Sequence, residues 1–199
     1  KLKAGIAAMA PELSGTTESG TEAAKSIMTT DTKKKEVAVQ FEIGGKTVTV
    51  GGMCKGSGMI HPNMCTMLGF ITSDVDISKE LLQEALSEDI KDTYNMVSVD
   101  GDTSTNDTVL LLANGMADNP VIDKEDSPEY TEFKKALNYV NTELAKKIAG
   151  DGEGATCLFE VKVIGAESKE QAVTLSQSVV MSTLTKAAIY GHDANWGRI

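Results

Sequence analysis

Two runs of β-forming residues joined by a glycine pair limit the fold of this chain more than any other feature. Residues 37–43 and 46–50 are rich in valine, and Gly44-Gly45 separates them. Glycine readily takes the positive φ that a tight hairpin turn requires. The pattern predicts an antiparallel hairpin, so the fold contains a sheet that is not purely parallel.

Helical and strand-like patterns alternate along the rest of the chain. Apolar residues at helical spacing predict helices over residues 2–9, 20–28, 79–94, 129–148 and 169–190, with Gly150 as the C-cap of the fourth. Apolar runs predict strands over residues 66–74, 96–99, 108–112 and 156–164, and the start of a strand at residues 196–199. Residues 51–65 and the acidic stretch 118–128 are expected to be loops. The fold class is therefore α/β, with mixed sheets layered with helices.

Composition excludes several function classes. The chain has 199 residues, 41% of them hydrophobic, enough for a sizeable core in one or two domains. Its net charge is −10 and its longest basic run is only Lys33-Lys34-Lys35, which argues against nucleic-acid and membrane binding. Three cysteines without a C-x-x-C pair fit a reducing cytoplasm, and two distant histidines predict no metal site.

Residues 55–70 form the most informative segment for function. A glycine-bearing loop leads to Thr66 at the start of an apolar run. A threonine hydroxyl becomes a useful nucleophile when a base, often its own free α-amino group, takes its proton. Cleavage of the Cys65–Thr66 bond would create that amine. On spacing alone, an ordinary β-forming threonine that enters a strand is the better interpretation, because one threonine after a glycine-rich loop is common.

This segment, Lys-Gly-Ser-Gly-Met-Ile-His-Pro-Asn-Met-Cys-Thr-Met-Leu, resembles the self-cleavage signature of the ornithine acetyltransferase family, the bifunctional glutamate N-acetyltransferases of arginine biosynthesis. Residues 27–32, 98–108 and 189–199 resemble further motifs of that family in the same order. The resemblance covers essentially the whole chain and implies a sandwich of sheets enclosed by helices. It also implies that residues 1–65 end an α-chain part, that residues 66–199 begin a β-chain part, and that family sequence is missing at both ends.

The resemblance implies the site residues as well. Thr66 is the implied catalytic nucleophile, Cys65–Thr66 the implied cleavage site, and Thr29, Lys55, Thr66 and Glu153 the implied substrate contacts. A lysine suits an amino-acid carboxylate or an oxyanion, and a glutamate in a turn suits an ammonium group. Taken without the resemblance, Lys55 reads as a solvated lysine, Glu153 as part of a surface turn, and residues 29–32 as a helix terminus and turn.

The implied activity moves acetyl from N-acetylornithine to glutamate through an acetyl-Thr66 intermediate. No cofactor is implied, although many members of the family accept acetyl-CoA, and the implied assembly is α2β2. An N-terminal-nucleophile amidohydrolase or aminopeptidase of related fold is the alternative, and a non-enzymatic binding fragment is a third. A further rival makes Cys65 the nucleophile with His61 as its base.

Aspartates in the segment 100–107 resemble part of a calcium-binding loop. A predicted strand follows them, where an EF-hand would place its last ligand and a helix. Asp100, Asp102 and Asp107 are therefore interpreted as members of a hydrogen-bonded structural loop close to the site. Arg198 is equally compatible with carboxylate binding and with a structural ion pair.

Overall fold

A computed structural model describes residues 1–61 and 67–199. One mixed sheet organises this part of the chain, with strands in the order β1 (Lys35–Ile43), β2 (Lys46–Lys55), β3 (Leu68–Ser73) and β4 (Thr108–Ala113). β1 and β2 are antiparallel, as are β2 and β3, whereas β3 and β4 are parallel. Together with the helices, this sheet confirms the predicted mixed α/β class.

The predicted hairpin is confirmed. Gly44 and Gly45 have φ angles of +57° and +76°, and Ile43 pairs with Lys46 across the turn. A β-carbon on Gly44 would lie 2.6 Å from Cδ of Pro120, so space as well as φ requires glycine there. β2 continues to Lys55, beyond its predicted end at residue 50.

Six helices accompany the sheet in the described residues: α1 (Leu2–Met9), α2 (Thr17–Ser26), α3 (Lys79–Asp92), α4 (Pro128–Gly150), α5 (Lys169–Met181) and α6 (Thr183–Tyr190). α4 covers one face of the sheet, and its Val140 and Leu144 pack closely on Gly52 of β2. α3 packs against α4. Within the described part of the chain, no helix is both long and apolar enough to span a bilayer.

Two predicted strands are wrong. Residues 96–99 form no strand, because the chain takes a 3-10 turn at Tyr94–Met96, where the Tyr94 side chain is buried in the core. Residues 156–164 keep their alternation, with Phe159, Val161 and Val163 half-buried. They pair with no strand among the described residues, so the alternating pattern identifies a half-buried face without a hydrogen-bonding partner.

Three helix and end predictions also need correction. The helix over residues 169–190 breaks at Ser182, whose hydroxyl accepts the N–H of Thr185 at 3.2 Å and so begins α6. Gly150 is the last residue of α4, and the cap is Asp151 with a negative φ of −114°. The expected strand start near the end of the chain is a 3-10 helix at Trp196–Arg198.

The predicted cleavage bond and both of its residues, Cys65 and Thr66, lie outside the described residues. The division of the chain into residues 1–65 and 66–199 therefore stays a prediction.

Candidate active site

Three of the four predicted substrate contacts line one open cleft. Thr29 follows α2, Lys55 ends β2, and Glu153 lies just beyond α4. The cleft has a volume of about 610 Å³. Its other lining residues are Thr30, Ser57, Gly58, Met59, Asp100, Asp102 and Thr103. Segments that are far apart in sequence thus meet at one place, while the fourth predicted contact, Thr66, is not among the described residues.

Lys55 is buried, with 8% of its surface exposed, so its interpretation as a solvated lysine is wrong. It pairs with Leu68 at the end of the β2–β3 ladder. Among the residues that the structure describes, no carboxylate forms an ion pair with its ammonium group. A buried cation without a counter-charge is costly, so this position favours an anionic group in the cleft.

Glu153 lies above the loop that follows Lys55. Its main-chain N–H donates to the carbonyl oxygen of Ser57 at 2.7 Å. A β-carbon added to Gly58 would come within 2.8 Å of the Glu153 carboxyl carbon, so the carboxylate occupies the space that glycine leaves open. The Glu153 side chain is exposed and makes no ion pair within the described part of the chain. It is therefore available to a cationic ligand.

Thr29 is exposed, and its N–H donates to Oδ2 of Asp31 at 3.2 Å. The hydroxyl of the next residue, Thr30, lies 2.5 Å from the hydroxyl of Ser57. The segment after α2 is therefore hydrogen-bonded to the same loop that Glu153 contacts.

Aspartates of the segment 100–107 hold that loop through its main chain. The Asp100 carboxylate accepts the N–H groups of Met59 at 2.6 Å and Ile60 at 3.0 Å. Asp107 accepts the N–H of Met67 at 2.8 Å. Burial raises the pKa of Asp107, and the hydrogen bond from Met67 opposes this shift. The expectation of a hydrogen-bonded structural loop is confirmed for Asp100 and Asp107.

Sequence reasoning missed a buried ion cluster beneath the cleft, here called the Lys35 cluster, which consists of Asp31, Lys35 and Asp151. The ammonium of Lys35 lies 2.6 Å from one carboxylate oxygen of each aspartate. Burial acts to raise the pKa of both carboxyls, but hydrogen bonds outweigh it, so each pKa is lowered. The donors are Gly56 and Lys35 for Asp31, and Lys35 and Thr32 for Asp151. Both aspartates are therefore ionised at neutral pH.

A signal for Lys35 was present in the sequence. It stands two residues before Val37, on the same face of β1 as Val37 and Val39, and that face packs on α4. Period-two alternation therefore places Lys35 inside. The interpretation of Asp31 as a simple turn residue is likewise incomplete, because its carboxylate is 0% exposed. No comparable spacing signal identifies Asp151.

The fold and the cleft define an α/β protein with an open, charged binding cleft. Among the described residues, no group of His, Cys, Asp or Glu is arranged to hold a metal ion. The chain belongs to the ArgJ family, whose model matches residues 1–199. The family resemblance drawn from the sequence motifs is thereby confirmed.

Two relatives show the extent of the similarity. The chain is 57% identical over 178 residues to arginine biosynthesis bifunctional protein ArgJ 1 of Clostridium acetobutylicum, covering 89% of this chain and 43% of that protein. It is 54% identical over 199 residues to the bifunctional ArgJ of Symbiobacterium thermophilum, covering 100% of this chain and 49% of that protein. The chain therefore spans a little under half the length of these curated relatives.

A solved structure is also similar. The crystal structure of arginine biosynthesis bifunctional protein argJ from Bacillus halodurans matches with a TM-score of 0.63 and 48% sequence identity. The match covers 65% of this chain and 60% of that chain. This similarity supports the α/β assignment, while the individual roles of Thr29, Lys55, Thr66 and Glu153 stay predictions.

Proposed function

We propose that the protein containing this chain transfers an acetyl group from N-acetylornithine to glutamate through an ester on Thr66. The main observation in support is that Thr29, Lys55 and Glu153, predicted separately from motifs, line a single cleft. The relatives named above are bifunctional proteins of arginine biosynthesis, which favours this activity over an amidohydrolase.

The charges of the cleft suit an amino-acid ligand. Lys55 supplies a buried cation and Glu153 an accessible anion, and neither has an ion-pair partner in the described part of the chain. N-Acetylornithine carries one carboxylate and one free ammonium group, so each charge of the ligand has a complement. Charge-assisted hydrogen bonds of this kind are short and strong in a partly desolvated cleft. Thr29 adds a hydroxyl at the cleft wall.

Thr66 would first act on its own chain. Its hydroxyl attacks the carbonyl carbon of Cys65, the peptide nitrogen leaves as an amine, and water hydrolyses the resulting ester. The new α-amino group has an ordinary pKa of about 7.7–8.0, which suits a general base near neutral pH. The chain is held on the far side of this bond, because Met67 donates its N–H to Asp107 and Leu68 pairs with Lys55.

Acetyl transfer would then proceed in two balanced steps. The Thr66 oxygen attacks the acetamide carbon of N-acetylornithine, the bond to nitrogen breaks, and ornithine leaves with the proton taken from the hydroxyl. The amine of glutamate next attacks the acetyl ester, forms N-acetylglutamate and returns the proton to Thr66. The proposal includes no cofactor, allows acetyl-CoA as an alternative donor, and extends to an α2β2 assembly of cleaved chains in the cytoplasm.

Intact mass of the full-length protein tests the processing step. We expect two fragments that meet at Cys65–Thr66, a single chain for Thr66→Ala, and partial cleavage for Thr66→Ser, because the reaction needs only a hydroxyl. Cys65→Ala is the matched control and should still be cleaved. Cleavage that persists in Thr66→Ala but stops in Cys65→Ala would transfer the nucleophile role to Cys65.

A single-turnover experiment tests the reaction class. The processed enzyme mixed with N-acetylornithine alone should release roughly one ornithine per site and leave an acetylated peptide that begins at Thr66. Added glutamate should discharge that peptide and form N-acetylglutamate. Continuous release of acetate without glutamate would instead identify a hydrolase.

Two substitutions test Glu153 independently. Glu153→Gln removes the charge, and Gly58→Ala places a methyl group where the carboxylate now lies. Both should raise KM for N-acetylornithine and leave self-cleavage intact. The loss of one charge-assisted hydrogen bond corresponds to about 1.5–3 kcal/mol of binding free energy. An unchanged KM in both variants would remove Glu153 from the site.

A further inference from the structure

The Lys35 cluster is connected to each part of the cleft wall that carries a predicted substrate contact. Lys35 is 1% exposed, and its ammonium also lies 3.3 Å from the carbonyl oxygen of Lys33. The cluster lines no part of the cleft itself, so its side chains do not reach a ligand there. Any influence on the ligand must therefore pass through the main chain that the cluster holds.

Asp31 connects the cluster to two of the contacts. Its Oδ2 accepts the main-chain N–H of Thr29 at 3.2 Å. Its Oδ1 accepts the N–H of Gly56, the residue that follows Lys55, at 2.7 Å. One buried carboxylate thus fixes the end of β2 relative to the segment after α2.

Asp151 connects the cluster to the third contact. Its Oδ2 accepts the N–H groups of Thr32 at 3.0 Å and Lys33 at 3.2 Å, and its Oδ1 accepts the hydroxyl of Thr32. It directly follows α4 and stands two residues before Glu153. The turn that carries Glu153 is therefore tied to the segment just after Asp31.

We infer that Lys35 is a positioning residue that sets the spacing of the three predicted substrate contacts by bridging Asp31 and Asp151. The bridge is needed because two buried carboxylates repel each other without a cation between them. Their separation would move the end of β2 and the turn after α4 apart. The inference rests on the proposed function for the identity of the ligand, but the cluster and its connections do not depend on it.

The test compares two neighbouring lysines in the full-length, processed enzyme. Lys35→Met keeps the length of the side chain and removes the bridge, whereas Lys34→Met removes a partly exposed cation that pairs with Glu36. A displacement near 1 Å costs on the order of 10²-fold in kcat/KM, and we expect Lys35→Met to lose this mainly through KM for both substrates. Lys34→Met should stay within about twofold of the wild type. Lys35→Arg should recover part of the loss, because a guanidinium can bridge two carboxylates.

A folded Lys35→Met enzyme with wild-type KM values would overturn the inference. Where Lys35→Met does not fold, Asp151→Asn takes its place: it keeps the Asp31–Lys35 pair and should raise KM roughly tenfold, and an unchanged KM again overturns the inference. A wild-type enzyme without acetyl transfer overturns the proposed function instead. In that case amide hydrogen exchange still tests the role of Lys35. Exchange at the N–H groups of Thr29 and Gly56 should be faster in Lys35→Met than in the wild type, and unchanged in Lys34→Met. Unchanged exchange in Lys35→Met would contradict the bridge.

Discussion

The Lys35 cluster and a second, partly buried polar cluster differ in the groups that donate hydrogen bonds to their carboxylates. The second cluster, here called the amide cluster, consists of Asp89, Tyr94, Asn138 and Asn141, and it lies between α3 and α4. Asn141 donates to Asp89 at 2.6 Å and accepts the hydroxyl of Tyr94 at 3.0 Å. Asn138 donates to the other carboxylate oxygen of Asp89 at 2.7 Å. This cluster contains no cation, and none of its members lines the cleft.

The two clusters shift carboxyl pKa values in opposite directions. Burial is the largest influence on Asp89, and it raises the pKa even though both amides oppose it. Burial also acts on Asp31, but hydrogen bonds from Gly56 and from the Lys35 ammonium more than offset it and lower the pKa. Neutral amides therefore supply hydrogen bonds to a carboxylate without offsetting the cost of its burial, whereas a cation and main-chain N–H groups also stabilise its charge.

The largest expected effect is the loss of stability when the cation is removed. Lys35→Met should lower the free energy of unfolding by about 3–5 kcal/mol, because it leaves two buried carboxylates without their counter-charge. Urea unfolding of the full-length protein measures this change. Lys34→Met serves as the control and should change the value by less than about 0.5 kcal/mol. A loss no larger than that of the control would show that the cluster does not need its cation.

A smaller loss is expected when the central amide is removed. Asn141 is fully buried, and Asn141→Leu leaves both the Tyr94 hydroxyl and one Asp89 oxygen without a partner. Each unsatisfied buried group costs about 1–3 kcal/mol. Asp89 is only half-buried, so water can replace its lost partner, and the total should stay near the cost of the Tyr94 hydroxyl alone and below the effect of Lys35→Met. Asn138→Ala removes an exposed partner of the same carboxylate and should cost less than about 1 kcal/mol. Equal losses in Asn138→Ala and Asn141→Leu would contradict the importance of burial.

The smallest effect is a difference in pH dependence. The lowered pKa of Asp31 gives stability that is present above the unfolded value of about 3.9 and is lost as pH falls through the folded pKa. The raised pKa of Asp89 gives stability that is present below about 3.9 and is lost as pH rises through its folded pKa.

Urea midpoints between about pH 3 and pH 6, where carboxyl groups titrate, separate the two contributions. Stability should rise more steeply with pH in Asp89→Asn than in the wild type, and less steeply in Asp31→Asn. Each change is at most about 1.4 kcal/mol per pH unit. If the slope of stability against pH changed in the same direction in both variants, the pKa values of Asp31 and Asp89 would not be shifted in opposite directions.

The sequence was a good guide wherever a pattern was local and periodic. The hairpin, α3 and α4 follow from residue spacing and turn chemistry, because each element buries one face with a fixed period. α1 also forms where predicted, although none of its residues is buried. The predicted strand over residues 156–164 failed for a different reason. Alternation correctly identified its half-buried residues, but a strand also needs a hydrogen-bonding partner, and alternation says nothing about where that partner is.

The site was predictable only in part. Thr29, Lys55 and Glu153 came from family motifs, and nothing in their spacing indicates that they share a cleft. The burial of Lys35 could have been found from its register in β1, but its partner Asp151 is 116 residues away. A contact over that distance depends on how α4 packs on the sheet, which no local pattern encodes.

The loop between β2 and β3 is anchored on both sides by side chains from elsewhere in the fold. Asp31 and Asp100 secure its first half, and Asp107 secures Met67 beyond it. β2 and β3 are also adjacent in the sheet and keep their own ladder of hydrogen bonds. A single cut between Ile60 and Met67 would interrupt the covalent chain, but the described residues on both sides of it would keep these contacts. The two pieces would stay associated through the shared sheet and should separate only when the sheet unfolds.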